Sequence, residues 1–137
     1  MRDIAKKLIT GHEGLRLKPY KCTAGKWTIG VGRNLDDVGI SEAEADVLLE
    51  NDIDRVLSEL ERLDFWRGLD SVRQVVLVDM CFNLGWPRLS GFSKMLAAIR
   101  NKDYSSAAVE MLDSRWAAQV GKRAVTLSKM MKTGEIA

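Results

Sequence analysis

Histidine is nearly absent: His12 is the only imidazole in 137 residues. A zinc site built on several histidines is thereby excluded, and a Ser-His-Asp triad becomes a poor fit. His12 lies beside Glu13 at a helix end, where a packing or capping role is expected. Cysteine is scarce too. Cys22 and Cys81 permit one bridge at most, and their unlike settings argue against a disulfide scaffold, so both are expected as free thiols. No uncharged run approaches the roughly 20 residues that span a bilayer, so stable membrane insertion is not expected. The opening stretch "MRDIAKKLIT" has no apolar segment long enough for export, which leads to the expectation of synthesis and folding in the cytoplasm. A phosphate-binding loop is also missing, because "GVGRN" follows a strand pattern but then enters an acidic loop instead of a helix. Repeats and low-complexity segments are lacking as well.

What is present is enough for a real core. With 46% apolar residues, the chain fits one compact unit or two small lobes sharing a helix. Its formal charge is only +2, but the charges are unevenly placed. From Met1 to Arg33 bases far outnumber acids; Ser41 to Asp64 is strongly acidic; Arg115 to Gly134 holds Arg115, Lys122, Arg123, Lys129 and Lys132 with no acid. Two basic segments around an acidic one suit a polyanionic target such as a cell-wall polymer, a membrane surface or nucleic acid. Solvated helix faces would give the same pattern. The basic residues are shared among separate elements and no DNA- or RNA-binding signature appears, so no nucleic-acid partner is expected.

Ile4, Leu8 and Ile9 recur at helical spacing, predicting a first helix that ends near His12. Pro19 forbids its continuation. Trp27, Ile29 and Val31 then alternate with Thr28, Gly30 and Gly32, with a turn candidate at Ala24-Gly25, which reads as a short hairpin or a small sheet. Ser41 followed by Glu44 forms a capping-box pattern, and Ala45, Leu48, Leu49, Ile53, Val56, Leu57 and Leu60 hold one face of a helix about 30 Å long. So long a helix can link two lobes. Beyond it, Ser71 or Asp70 can cap "VRQVVLVDMCFNLG", an almost wholly apolar helix stopped by Gly85 and Pro87 and expected at the centre of the larger lobe. Shorter helices are expected at about Ser93 to Asn101, Asp103 to Leu112, Ser114 to Val120 and Lys122 to Lys132. The fold class is α+β: mostly α, with a small β element near the N-terminus.

Among the carboxylates Glu13 stands apart, since it ends an apolar-faced helix and enters a turn. Partial burial there would raise its pKa above the ordinary value of about 4.3 and make it a usable proton donor. Glycoside hydrolysis needs such an acid on the leaving oxygen, and a second group on the opposite face of the sugar to activate or position water. Side chains of the hairpin from Cys22 to Thr28 are candidates for that second group.

The stretch "HEGLRLKPYKCTAGKWTIGVGRNL" resembles the signature of the phage-type lysozymes, or endolysins: Glu, eight residues, Asp, five residues, Thr, with "EGLRLxxY" and "TIGxG" around it. "MCFNLG", "SGFSKML" and "DSRWAAQ" are also similar to family segments, so the likeness runs from the first helix nearly to the end. The resemblance implies a two-lobed lysozyme-like fold: a lobe with the hairpin at about 13–40, a linking helix at about 41–63, and a helical lobe at about 64–137 joined by the N-terminal helix 1–12. It implies a monomeric muramidase that needs no cofactor and no metal, cleaves the β-1,4 bond between N-acetylmuramic acid and N-acetylglucosamine in peptidoglycan, and lyses the bacterial host. Such enzymes reach the periplasmic wall through a separate holin-like protein that permeabilises the membrane.

Residue by residue, the resemblance makes Glu13 the general acid and Thr28 the threonine that holds the attacking water. Cys22 stands where most family members have the aspartate. A thiol near pKa 8.5 is mostly neutral at pH 7 unless Lys18, Lys21 or Lys26 lowers that value. Three roles are open to Cys22: a base toward water, a nucleophile toward the anomeric carbon, or a neutral group that only positions water beside Thr28. Arg33 is a second departure, standing where many members carry histidine. Asn34, Phe82 and Asn83 fall where family members line the saccharide cleft, although Phe82 is equally suited to the core. Trp116 is expected to pack, and Cys81 to be buried and inert. Two rival functions remain at the level of sequence: a lytic transglycosylase using Glu13 alone, and a wall-binding module that has lost turnover.

Overall fold

The computed structural model describes all 137 residues. Chain contacts divide it into two compact units, Met1–Leu48 and Leu49–Ala137.

In the first unit, α1 (Arg2–Glu13) ends where Gly14 takes φ 76° and returns its N–H to the Thr10 carbonyl. A left-handed residue at this point favours glycine, because a Cβ would crowd the following carbonyl. Strands β1 (Arg16–Lys21), β2 (Trp27–Gly30) and β3 (Arg33–Asn34) form a three-stranded antiparallel sheet in that order. Tyr20 pairs with Thr28, and Thr28 with Asn34, so these three make one row across the sheet. The expected hairpin is therefore a small sheet, its third strand too short to show a period-2 pattern. Thr28 is the only residue of this unit whose side chain is buried; Leu15, Leu17, Val38 and Ile40 are all exposed.

Helix α2 (Glu42–Leu60) crosses the division between the units. The capping box forms as its spacing predicts: Ser41 Oγ accepts from the Glu44 N–H at 3.1 Å, and Glu44 Oε1 accepts from the Ser41 N–H at 2.8 Å. Of the apolar face read from the sequence, only Val56 and Leu60 are buried, while Leu48 and Leu49 stay exposed.

The second unit is helical: a 3₁₀ turn at Trp66–Gly68, then α3 (Ser71–Leu84), α4 (Trp86–Leu89), α5 (Ser93–Arg100), α6 (Tyr104–Leu112), α7 (Arg115–Val120) and α8 (Lys122–Thr133). Asp70 caps α3, Asp103 caps α6 and Ser114 caps α7, each accepting a backbone N–H three residues on. α3 supplies Val76, Leu77, Met80 and Cys81, all essentially inaccessible, and they pack with Leu89, Met95, Ile99, Met111, Leu127 and Met131. Its apolar character does mark the centre of this core. Gly85 ends α3 as expected, but Pro87 does not end helical structure. It sits in the first turn of α4, where its missing N–H has no intrahelical partner to lose.

Candidate active site

Glu13 closes α1 and is exposed. The partial burial expected for it is not found within this unit. Instead its side chain lies flat against the turn between β2 and β3: a Cβ placed on Gly32 would stand 2.9 Å from Glu13 Oε2 and 3.1 Å from Cγ. None of the ion pairs in the structure involves Glu13.

Cys22 opens the turn that joins β1 to β2. Its carbonyl accepts the Gly25 N–H at 2.9 Å and its N–H donates to the Lys26 carbonyl at 2.9 Å. The backbone N–H groups of Lys26 and Ala24 hold the thiol below its ordinary pKa against the opposing cost of burial, with a lesser contribution from the Thr28 hydroxyl. The cause differs from the one expected. Lysine side chains do not produce it: Lys26 Nζ pairs with Asp37 at 3.3 Å, and Lys21 Nζ stands over the Trp27 ring at 5.2 Å. A thiolate held by backbone dipoles needs no mobile cation.

Thr28 is 3% exposed, its Oγ1 donates to the Lys26 carbonyl at 2.9 Å, and the same hydroxyl contributes to lowering the Cys22 pKa. A hydroxyl has one proton to give. In this structure that proton is spent on the Lys26 carbonyl.

Asn34 lies opposite Thr28 on β3, but its amide is largely committed. Nδ2 donates to Asp37 Oδ2 and Oδ1 accepts the Asp37 N–H, both at 2.9 Å, closing the turn after the strand. One N–H and one lone pair remain for an outside partner. Arg33, next in the chain to Gly32, forms a bidentate pair with Glu44 and also donates to the Gly39 carbonyl at 3.1 Å.

The other two residues expected at substrate belong to the helical unit. Phe82 is 45% exposed and so is not core; it lines an apolar groove of about 240 Å³ with Leu49, Ile53, Val75 and Val78. Asn83 has a structural bond, its Oδ1 accepting from Trp116 Nε1 at 2.8 Å. Trp116 packs as expected, buried and edge-on to Phe92. Cys81 is buried, and desolvation with the nearby Glu59 charge pushes its thiol up to about 11, which makes it inert.

The family profile described as phage lysozyme matches residues 10–132. The chain belongs to the phage lysozyme family. Its activity class is that of a lysozyme, a glycoside hydrolase, with peptidoglycan as substrate. Among relatives of this family member, an endolysin of Acyrthosiphon pisum secondary endosymbiont phage 1 is 34% identical over 85% of the chain and 80% of its own length. A probable T4-type lysozyme of Dictyostelium discoideum is 29% identical over 96% of the chain and 95% of its own length. The pre-baseplate central spike protein of Enterobacteria phage T4 is 26% identical over 95% of the chain, which spans 28% of that longer protein.

Two features of this family member escaped the sequence. The contact of Glu13 with Gly32 joins residues far apart in the chain, although the glycine's place after "TIGV" was a signal that some group needed its empty side. The bond from Trp116 to Asn83 links two helices and left no local trace.

Proposed function

We propose that this family member is a phage endolysin that hydrolyses the β-1,4 bond between N-acetylmuramic acid and N-acetylglucosamine and so lyses the bacterial host. Glu13 gives its proton to the glycosidic oxygen as the bond to the anomeric carbon breaks. Water attacks that carbon from the opposite face and surrenders a proton to the Cys22 thiolate, with Thr28 holding its oxygen. The products are two sugar chains, one with a new reducing end, and the configuration is inverted.

The observation that supports this assignment of roles is the Cys22–Thr28 pair: a thiol whose pKa backbone N–H groups lower, with a buried hydroxyl contributing, in the spacing from Glu13 that the family resemblance implies. A charge can thus be kept where the family's carboxylate is missing. Asn34 and Phe82 are proposed contacts for saccharide, and Asn83 acts there through its Nδ2 donors and the Oδ1 lone pair that Trp116 leaves free. The proposal includes synthesis in the host cytoplasm, passage to the periplasmic wall with the help of a holin-like protein, and action as a monomer.

Mass spectrometry of digested peptidoglycan, with the anomeric form of the first product followed by NMR, tests the reaction. Reducing ends in the inverted configuration are expected. Anhydro-muramyl ends would replace hydrolysis by transglycosylation, retained configuration would make Cys22 a nucleophile, and wall binding without any cleavage would make the chain a binding module.

A further inference from the structure

We infer that Gly32 is a positioning residue for the Glu13 carboxyl, the bare backbone of the β2–β3 turn serving as the plate on which that group rests. The inference builds on the role proposed for Glu13, and adds to it the means by which an exposed side chain at a helix end is held in one place.

Glu13 has three rotatable side-chain bonds, no ion-pair partner and little cover from its own unit, so nothing obvious limits its wandering. What the structure does show is where it rests, in space that only a glycine leaves open. The volume a Gly32 Cβ would occupy is filled by Glu13 Oε2 at 2.9 Å, Cδ at 3.0 Å and Cγ at 3.1 Å, so the whole end of the side chain lies over this one residue. Real Cβ atoms do not stand that close to a carboxyl group, and any residue other than glycine would have to push it away.

The plate itself is fixed from both sides. Ile29 pairs with Arg33 across the turn, and Gly30 pairs with Arg16 on the other flank. Arg33 then ties the strand to α2 through Glu44, with Nη2 to Oε2 at 2.8 Å, and to the Gly39 carbonyl. Glu13 is likewise held at its base, because Gly14 closes the last turn of α1 onto the Thr10 carbonyl at 2.8 Å. Two anchored backbones thus meet at one flexible side chain.

The turn also offers its own control. Gly30 has φ 70° and Gly32 φ 66°, so alanine strains the backbone at both, yet a Cβ on Gly30 meets nothing within 4 Å. The part of any excess of Gly32→Ala over Gly30→Ala that disappears when Glu13 is alanine comes from displacing Glu13.

Thermal midpoints are measured for the full chain carrying Gly32→Ala, Gly30→Ala, Glu13→Ala and the two Glu13→Ala double variants, together with kcat and KM on soluble peptidoglycan fragments for those that retain Glu13. Gly32→Ala is expected to lower the midpoint more than Gly30→Ala, with the excess vanishing once Glu13 is alanine. It should lower kcat about a hundredfold, the usual penalty for an ångström of misplacement, with KM little changed. If Gly32→Ala does not fold, recovery of folding in Glu13→Ala/Gly32→Ala carries the same meaning. Equal effects of the two alanines, an excess that survives loss of the carboxyl, a double variant that still fails to fold, or a loss confined to KM would overturn the inference. Full activity of Glu13→Gln would remove the acid role instead, while leaving the measured coupling between residues 13 and 32 to stand or fall by itself.

Discussion

The carboxylate of Glu44 takes both terminal nitrogens of Arg33, with Oε1 2.9 Å from Nη1 and Oε2 2.8 Å from Nη2. The same carboxylate caps α2 through the Ser41 N–H, and the Arg33 guanidinium above all, with the Ser41 bonds, brings its pKa from 4.5 down to about 2. Arg33 thus brings to this pair a group that stays charged at every accessible pH.

A depressed folded-state pKa means that the unfolded chain binds the proton more readily. The stability Glu44 contributes is therefore present above about pH 4.5 and fades as the pH falls toward 2. Unfolding midpoints followed across that window should drop more steeply for the parent than for Glu44→Gln. Parallel pH profiles would show that the pair holds nothing in place.

Asn83 should matter to folding before it matters to substrate. Its Oδ1 is the partner of the Trp116 Nε1–H, and Trp116 is only 3% exposed. Asn83→Ala leaves that donor unpaired and should cost about 1–3 kcal/mol in chemical denaturation. In a Trp116→Phe background the cost should shrink, since no donor remains. An unchanged stability in Asn83→Ala would return the residue to a purely saccharide-facing role.

The local parts of the structure were legible in the sequence. Caps at Ser41, Asp70, Asp103 and Ser114 join residues three apart, and the apolar run of α3 has little polar surface, which placed its Val76, Leu77, Met80 and Cys81 in the core while Val75 and Phe82 stay exposed. The small sheet and the place of Glu13 at the end of α1 followed from the same short-range patterns. What stayed hidden depended on distance in the chain or on backbone direction. Spacing cannot show that N–H groups of a turn would lower the Cys22 pKa, and the nearby lysines were the natural but mistaken source of its shift. Nor can periodicity show that the first half of an amphipathic α2 would keep Leu48 and Leu49 exposed, because burial needs a partner that the helix does not encode.

At neutral pH the two thiols should behave oppositely. Cys22, held below its ordinary pKa and partly accessible, should react with iodoacetamide in the native protein, while Cys81, buried and pushed up to about 11, should react only after unfolding. Thr28→Val should slow alkylation of Cys22 by removing the hydroxyl that contributes to lowering its pKa. Peptide mapping after labelling decides the site, and labelling at Cys81 first would contradict the account.

If Cys22 is the base, its loss should weigh as a general base does. Cys22→Ala is expected to lower kcat about a hundredfold or more, and Cys22→Asp to preserve most of it. Undiminished cleavage by Cys22→Ala would leave the sulfur without a part in the chemistry.

The most direct test is the initial rate at which purified Gram-negative peptidoglycan is cleaved by the parent and by Glu13→Gln, proteins matched for folding by circular dichroism. The account predicts that the amide, which has no proton to give the departing oxygen, cleaves at least about a hundredfold more slowly. A glutamine variant as fast as the parent would contradict it.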